Sequence, residues 1–110
     1  MTTRLTSDLW VSAYLARLRF ANIPAYLSAR GDATAGAILV KLATLDGQAQ
    51  AFQRSYDLNA DRRVWVTLAQ GAEAEVDALL ARQRARDRDL WLIEIEDRDG
   101  RTLLDQEGLD

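Results

Sequence analysis

The sequence predicts an α+β domain: an antiparallel sheet of four or five strands with two helices packed on one face, in the order α-β-β-β-β-α-β. Three observations carry this reading. Two stretches, Leu9–Phe20 and Val76–Gln83, repeat apolar residues at helical spacing behind good N-terminal residues. Between them lie four runs of strand character, Ala25–Arg30, Ala37–Leu45, Gln48–Asp57 and Arg63–Ala69. A last alternating run, Leu90–Glu96, follows the second helix directly. At 110 residues, positions 1–110 read as a single domain with one core.

Each element has its own local signals. Thr6 or Ser7 can cap the first helix, and Asp8 suits its first turn. Leu9, Ala13, Ala16 and Phe20 form its expected apolar stripe, widened by Val11, Leu15 and Leu18. Asn22 and Pro24 end it, because proline disfavours helical geometry in the residue before it. Gly31–Gly36 is a turn-forming link into Ala37–Leu45, whose continuous apolar run marks a central strand buried on both faces. Asp46-Gly47 is a two-residue hairpin signal, so the strands from Ala25 to Ala69 are expected to form one meander. Gln70-Gly71 breaks the fourth strand, and Glu73 and Glu75 load the start of the second helix. In the last strand Trp91, Ile93 and Ile95 share one face, and Leu92, Glu94 and Glu96 the other. Asp99-Gly100 then turns into a tail in which Leu103 and Leu104 can dock.

Composition excludes more than it suggests. With no cysteine there is no disulfide, thiolate nucleophile or thiolate metal site. With no histidine the usual general base and the commonest metal ligand are missing. No catalytic signature and no cofactor or metal motif stands out, so the chain leans away from enzymes. The net charge of −3 argues against a nucleic-acid-binding domain. No run approaches the ~20 apolar residues of a membrane helix, and the start lacks a signal-peptide pattern, so a cytoplasmic location is expected.

A few residue groups invite a functional reading. Arg82, Arg84, Arg86 and Arg88 can grip carboxylates or phosphates, with Trp91 adding a stacking surface. The competing reading is a solvated helix end paired internally, for example Arg82 with Asp87 or Glu75. Lys41, the only lysine, lies in the most apolar strand, where it either snorkels to the edge or sits beside a carboxylate. Together with Arg30 and nearby carboxylates it defines the alternative, a small-ligand site or enzyme. Asp57, Asn59 and Asp61 have the opening spacing of a calcium loop, but Arg62 and Leu68 stand where that loop needs glycine and glutamate, so the segment reads as a turn. Glu94, Glu96, Asp97 and Asp99 read as a solvated strand edge. Two helices on one face would leave the other open, which nominates Trp65 and Leu39 for a homodimer interface.

Two segments, Ala29–Leu42 (ARGDATAGAILVKL) and Arg82–Gly100, resemble an alphaproteobacterial family known as domain of unknown function 1491. The most specific features are the glycine-bracketed turn before Ala37, the Arg82-Gln83 pair, and Asp89-Leu90-Trp91 opening the last strand. The resemblance implies a bacterial, cytoplasmic protein and carries over no catalytic residue. The expectation is therefore a small non-enzymatic binding or protein-interaction module with an unidentified protein partner, its binding residues drawn from Arg82, Arg86, Trp91, Arg30 and Lys41.

Overall fold

The computed structural model of the protein describes residues 5–106, 108 and 109. The elements follow the expected order: α1 (Ser7–Phe20), β1 (Ala25–Ala29), β2 (Ile38–Ala43), β3 (Gln48–Asp57), β4 (Arg62–Ala72), α2 (Glu73–Arg86) and β5 (Trp91–Glu96). All five strands join one sheet in the order β1-β5-β2-β3-β4. Strands β2, β3 and β4 make an antiparallel meander. The first strand departs from the expected one. β1 pairs antiparallel with β5, and β5 lies parallel to β2 between them.

The reason lies in burial. β2 is buried at all six positions, and β5 buries Trp91, Ile93 and Ile95. Such strands belong in the sheet interior, and parallel pairs need cover on both faces. β1 is short and leaves Tyr26 and Ser28 exposed, so it takes the edge. The segment from Arg30 to Ala37 is long enough to step across one strand, a distance of ~10 Å. Two smaller differences concern turns. The β2–β3 hairpin turns through Leu45, Asp46 and Gly47, with Leu45 and Gly47 at φ 63° and 87°, rather than through two residues. β4 runs through Gln70-Gly71, because Gly71 at φ 142° still pairs with Ala49.

The helices lie on opposite faces of the sheet, not on one. Trp10, Val11, Tyr14 and Leu18 of α1 cluster with Ile38, Val40, Leu42, Trp91, Ile93 and Ile95. Val76 and Leu80 of α2 cluster with Leu39, Ala49, Ala51 and Leu90. Alternate residues of β2 therefore serve two different cores, as the period-2 geometry of a strand requires. The C-terminal segment completes the first core with Leu104 and Leu109. α1 also turns a different side inward than its spacing suggests. Trp10 and Tyr14 are buried, whereas Leu9 and Phe20 are 56% and 93% exposed. The inner face combines Trp10 and Tyr14 with Val11 and Leu18, which together bury more area than the alternative stripe, and the Tyr14 hydroxyl donates to the Thr102 carbonyl at 2.7 Å.

A close joint holds the start of β5. The Asp32 amide donates to the Asp89 carbonyl at 2.8 Å, and the Trp91 indole donates to the Asp32 carbonyl at 2.8 Å. A Cβ on Gly31 or Gly36 would come within 2.1 Å of the Asp89 carbonyl oxygen, so both positions need glycine for backbone approach.

Candidate functional site

Lys41 sits on the α2 face of the central strand and is 3% exposed. Its neighbours across the sheet and in the helix are acidic. Nζ lies 2.5 Å from Asp77 and 2.8 Å from Glu73 on α2, and 3.2 Å from Glu94 on β5. Glu73 and Asp77 stand one turn apart on the helix, so both carboxylates reach down to the same ammonium. Glu94 faces the helix because Ile93 and Ile95 face the other core, and it also accepts from the Ser28 hydroxyl. Burial pulls the Lys41 pKa down, but hydrogen bonds to Asp77, Glu73 and Glu94 outweigh it and hold the amine above its ordinary 10.5. A lysine held this firmly as ammonium is a structural cation, not a nucleophile or base. Of the two readings the sequence left open, it sits beside carboxylates rather than snorkelling.

Arg30 does not join that site. Its guanidinium lies over the Trp91 ring, 5.2 Å from the centroid, on the sheet face covered by α1. Trp91 itself is 1% exposed and packed in the core, so it offers no open stacking surface. Lys41 and Arg30 thus occupy opposite faces of the sheet.

The arginines after Leu80 divide into two roles. Arg84 turns inward, and its Nη1 donates to the Arg88 carbonyl at 2.6 Å and to the Leu90 carbonyl, tying the end of α2 to the start of β5. That cation satisfies two carbonyls of the link that follows the helix, and its place in the last turn suits the helix dipole. Arg82, Arg86 and Arg88 are exposed, and among the described residues none makes an ion pair. The internal pairing of Arg82 with Asp87 or Glu75 is not formed; Asp87 instead accepts from the Asp89 amide at 3.0 Å. Since Ala29 pairs with Leu92, Arg30 emerges at this same end of the sheet.

The remaining candidates are placed as follows. Leu39 is 5% exposed under α2, and Trp65 packs against the α1 core, its indole donating to the Leu109 carbonyl at 3.1 Å. They lie on opposite sides of the sheet, and the face expected to be open around Leu39 is covered by α2. Asp57 accepts from the amides of Asn59 and Ala60 in the β3–β4 turn. Asp97 accepts from the Arg101 backbone amide at 2.7 Å and from its guanidinium at 3.0 and 3.1 Å, so the acidic cluster splits among separate structural tasks. Among the described residues no group of three or more acidic side chains is arranged to hold a metal ion.

The chain matches the family model described as "Protein of unknown function (DUF1491)" over residues 5–105. The chain belongs to the DUF1491 family. It is similar to the crystal structure of a DUF1491 family protein from Caulobacter crescentus CB15, with 35% identity, 94% of this chain and 96% of that one covered, and a TM-score of 0.82. An NMR structure of a DUF1491 family protein from the same organism gives 35% identity, the same coverage and a TM-score of 0.81. The solution structure of protein Atu0922 from A. tumefaciens gives 33% identity, 92% coverage of each chain and a TM-score of 0.74. No curated protein sequence matches. Among the described residues of this DUF1491 protein, no helix is long and apolar enough to cross a membrane.

One arrangement in this DUF1491 chain has little signal in the sequence. Arg54 of β3 pairs in register with Trp65 of β4, and its guanidinium lies against the Trp10–Trp65 ring pair, 4.7 Å from the Trp10 ring and 5.1 Å from the Trp65 ring. It lines a hollow of about 490 Å³ with Arg63, Gln53 and the start of α1. A larger hollow of about 680 Å³ lies between the β3–β4 hairpin and the C-terminal segment, with Trp65 and Phe52 inside and Arg62 and Asp105 on its rim. Alternation in β3 marks Arg54 as sharing a face with Phe52, which was the one available clue. Neither hollow includes Lys41, Arg30, Arg82 or Arg86.

Proposed function

We propose that this DUF1491 protein is a non-enzymatic interaction module of the cytoplasm, docking an acidic protein segment at the end of the sheet where α2 runs into β5. The observation that carries this reading is the unequal use of the arginines. Arg84 is committed to the backbone of the joint, while Arg82 and Arg86, one turn apart, and Arg88 stand exposed without an ion pair among the described residues. Exposed guanidiniums on a rigid helix end suit bidentate contacts with carboxylates. The alternative built on Lys41 and Arg30 loses support, because the two lie on opposite sheet faces and Lys41 is locked as a cation.

The test is affinity capture from a native bacterial lysate with the wild type and with the Arg82→Glu/Arg86→Glu variant, each confirmed as folded by its urea midpoint. A partner retained by the wild type, lost by the variant and released by moderate salt supports the reading. Equal capture by both, or a partner that disappears on nuclease treatment, overturns it.

A further inference from the structure

The two helices have the same length and opposite outer faces. α2 shows water Glu75, Asp77, Arg82 and Arg86 among its alanines. α1 shows Leu9, Ala13, Ala16 and Phe20, with Leu5 just ahead of it, all exposed. Its inner face is apolar as well, through Trp10, Val11, Tyr14 and Leu18. Among these exposed apolar residues the outer side also carries the exposed Ser12 and Arg19, but large apolar side chains at both ends of an exposed helix face mark an interaction site. From this geometry we propose that α1 is the interface of a two-fold symmetric homodimer, lying antiparallel on α1 of a second copy.

The occupant follows from the order of residues along the helix. Leu9 and Phe20 are eleven residues apart, three turns, so they share one azimuth at the two ends of the outer face. Ala13 and Ala16 lie between them. A two-fold axis crossing midway between Leu9 and Phe20 sets Leu9 on the partner copy's phenylalanine and Ala13 on the second copy's alanine stripe. Large side chains pack at both ends, and small ones let the helices approach in the middle.

The charges obey the same symmetry. Asp8 and Arg19 are also eleven residues apart and lie along one edge of the outer face. A two-fold axis perpendicular to antiparallel helices keeps that edge on the same side, so Asp8 of each copy meets Arg19 of the other. Arg19 is exposed and makes no ion pair among the described residues. The helix dipoles are antiparallel in this arrangement, which adds to the attraction. A two-fold interface must be self-complementary, and this face is.

The chain contains no cysteine, so single introduced thiols report the geometry without interference. Ala13→Cys and Ala16→Cys proteins, oxidised in a one-to-one mixture, should crosslink faster than either alone, and Ala81→Cys on the outer face of α2 should not crosslink. By sedimentation the wild type should be a dimer, with Ala13→Arg and Arg19→Glu each raising its dissociation constant about tenfold or more. Both positions are exposed, and the tryptophan fluorescence of the folded core verifies that each variant remains native. A wild type that sediments as a monomer at millimolar protein overturns the proposal. So does mixture crosslinking no faster than that of the Ala81→Cys control, the outcome expected if a membrane or a different protein covers this face.

Discussion

Replacing Lys41 with methionine isolates the central charge network. Methionine keeps the unbranched apolar stem and its packing, so the change removes mainly the ammonium. Exposed ion pairs contribute ~0.2–1 kcal/mol each, whereas stripping one partner from a buried pair costs ~3–5 kcal/mol. This site lies between those limits. Lys41 is sealed, but the side chains of Glu73, Asp77 and Glu94 are 42%, 52% and 23% exposed and keep part of their hydration. Loss of three contacts, together with repulsion among three uncompensated carboxylates, predicts a destabilisation of about 2–3 kcal/mol. With m near ~2 kcal/mol/M, the urea midpoint followed by tryptophan fluorescence should fall by about 1–1.5 M. The pH dependence has a definite sign. A folded-state pKa above 10.5 means the contribution is complete below pH 10.5 and disappears as pH rises through the folded value. The gap between wild type and variant should therefore be flat from neutral pH to about 10 and close only above it. Burial also raises the Tyr14 pKa, but that loss at high pH is common to both proteins and cancels in the difference. A Lys41→Met protein as stable as the wild type at pH 7 would refute the reasoning, since desolvation of the ammonium would then equal everything the carboxylates return.

Two further predictions concern the turns. Gly36→Ala should destabilise by about 3 kcal/mol, because its Cβ meets backbone atoms of Asp89 and Asp32 that cannot withdraw separately. Gly47→Ala, with open space around it and only φ 87° against it, should cost about 1 kcal/mol, and thermal melts of the two variants rank them. Hydrogen bonds from the Arg101 side chain and amide hold the Asp97 pKa below its ordinary 3.8. Its contribution is thus present above pH 3.8 and lost as pH falls through the folded value, so the wild type should exceed Asp97→Asn in urea midpoint at pH 7 and converge with it in strong acid.

The parts of the fold that sequence legibly encodes are those where one local signal acts alone. β5 alternates without ambiguity, and its Trp91, Ile93, Ile95 face is the buried one. The continuous apolar run of β2 correctly marks a central strand. α1 offers two apolar stripes at different phases, so spacing by itself selects Leu9 and Phe20, while packing selects the bulkier Trp10 and Tyr14. Strand partners are harder still. Nothing local to Ala25–Ala29 tells that its neighbour is a strand nearly seventy residues later rather than the next one. The Lys41 site was half legible. The apolar run around Lys41 leaves a neighbouring carboxylate as one of its two options, but only the packing of α2 and the parallel placement of β5 beside β2 identify Glu73, Asp77 and Glu94.

The two segments that resemble the family are also the two that meet in the joint. Gly31 and Gly36 come from one, Asp89 and Trp91 from the other, and they are joined through backbone carbonyls and amides and through the Trp91 indole, which donates to the Asp32 carbonyl. Glycine is required there because a Cβ would strike the Asp89 carbonyl, a demand of chain path and not of any ligand. The same holds for Arg84, whose guanidinium is turned onto the carbonyls of Arg88 and Leu90. These features therefore specify how β5 is inserted between β1 and β2, a requirement of the chain path. The two surfaces proposed for binding, Arg82, Arg86 and Arg88 at the end of α2 and the outer face of α1, lie outside the joint. Those two surfaces flank opposite sides of the sheet, so a copy paired through α1 still presents its arginines to solvent, and variants of one surface should leave the readout of the other unchanged.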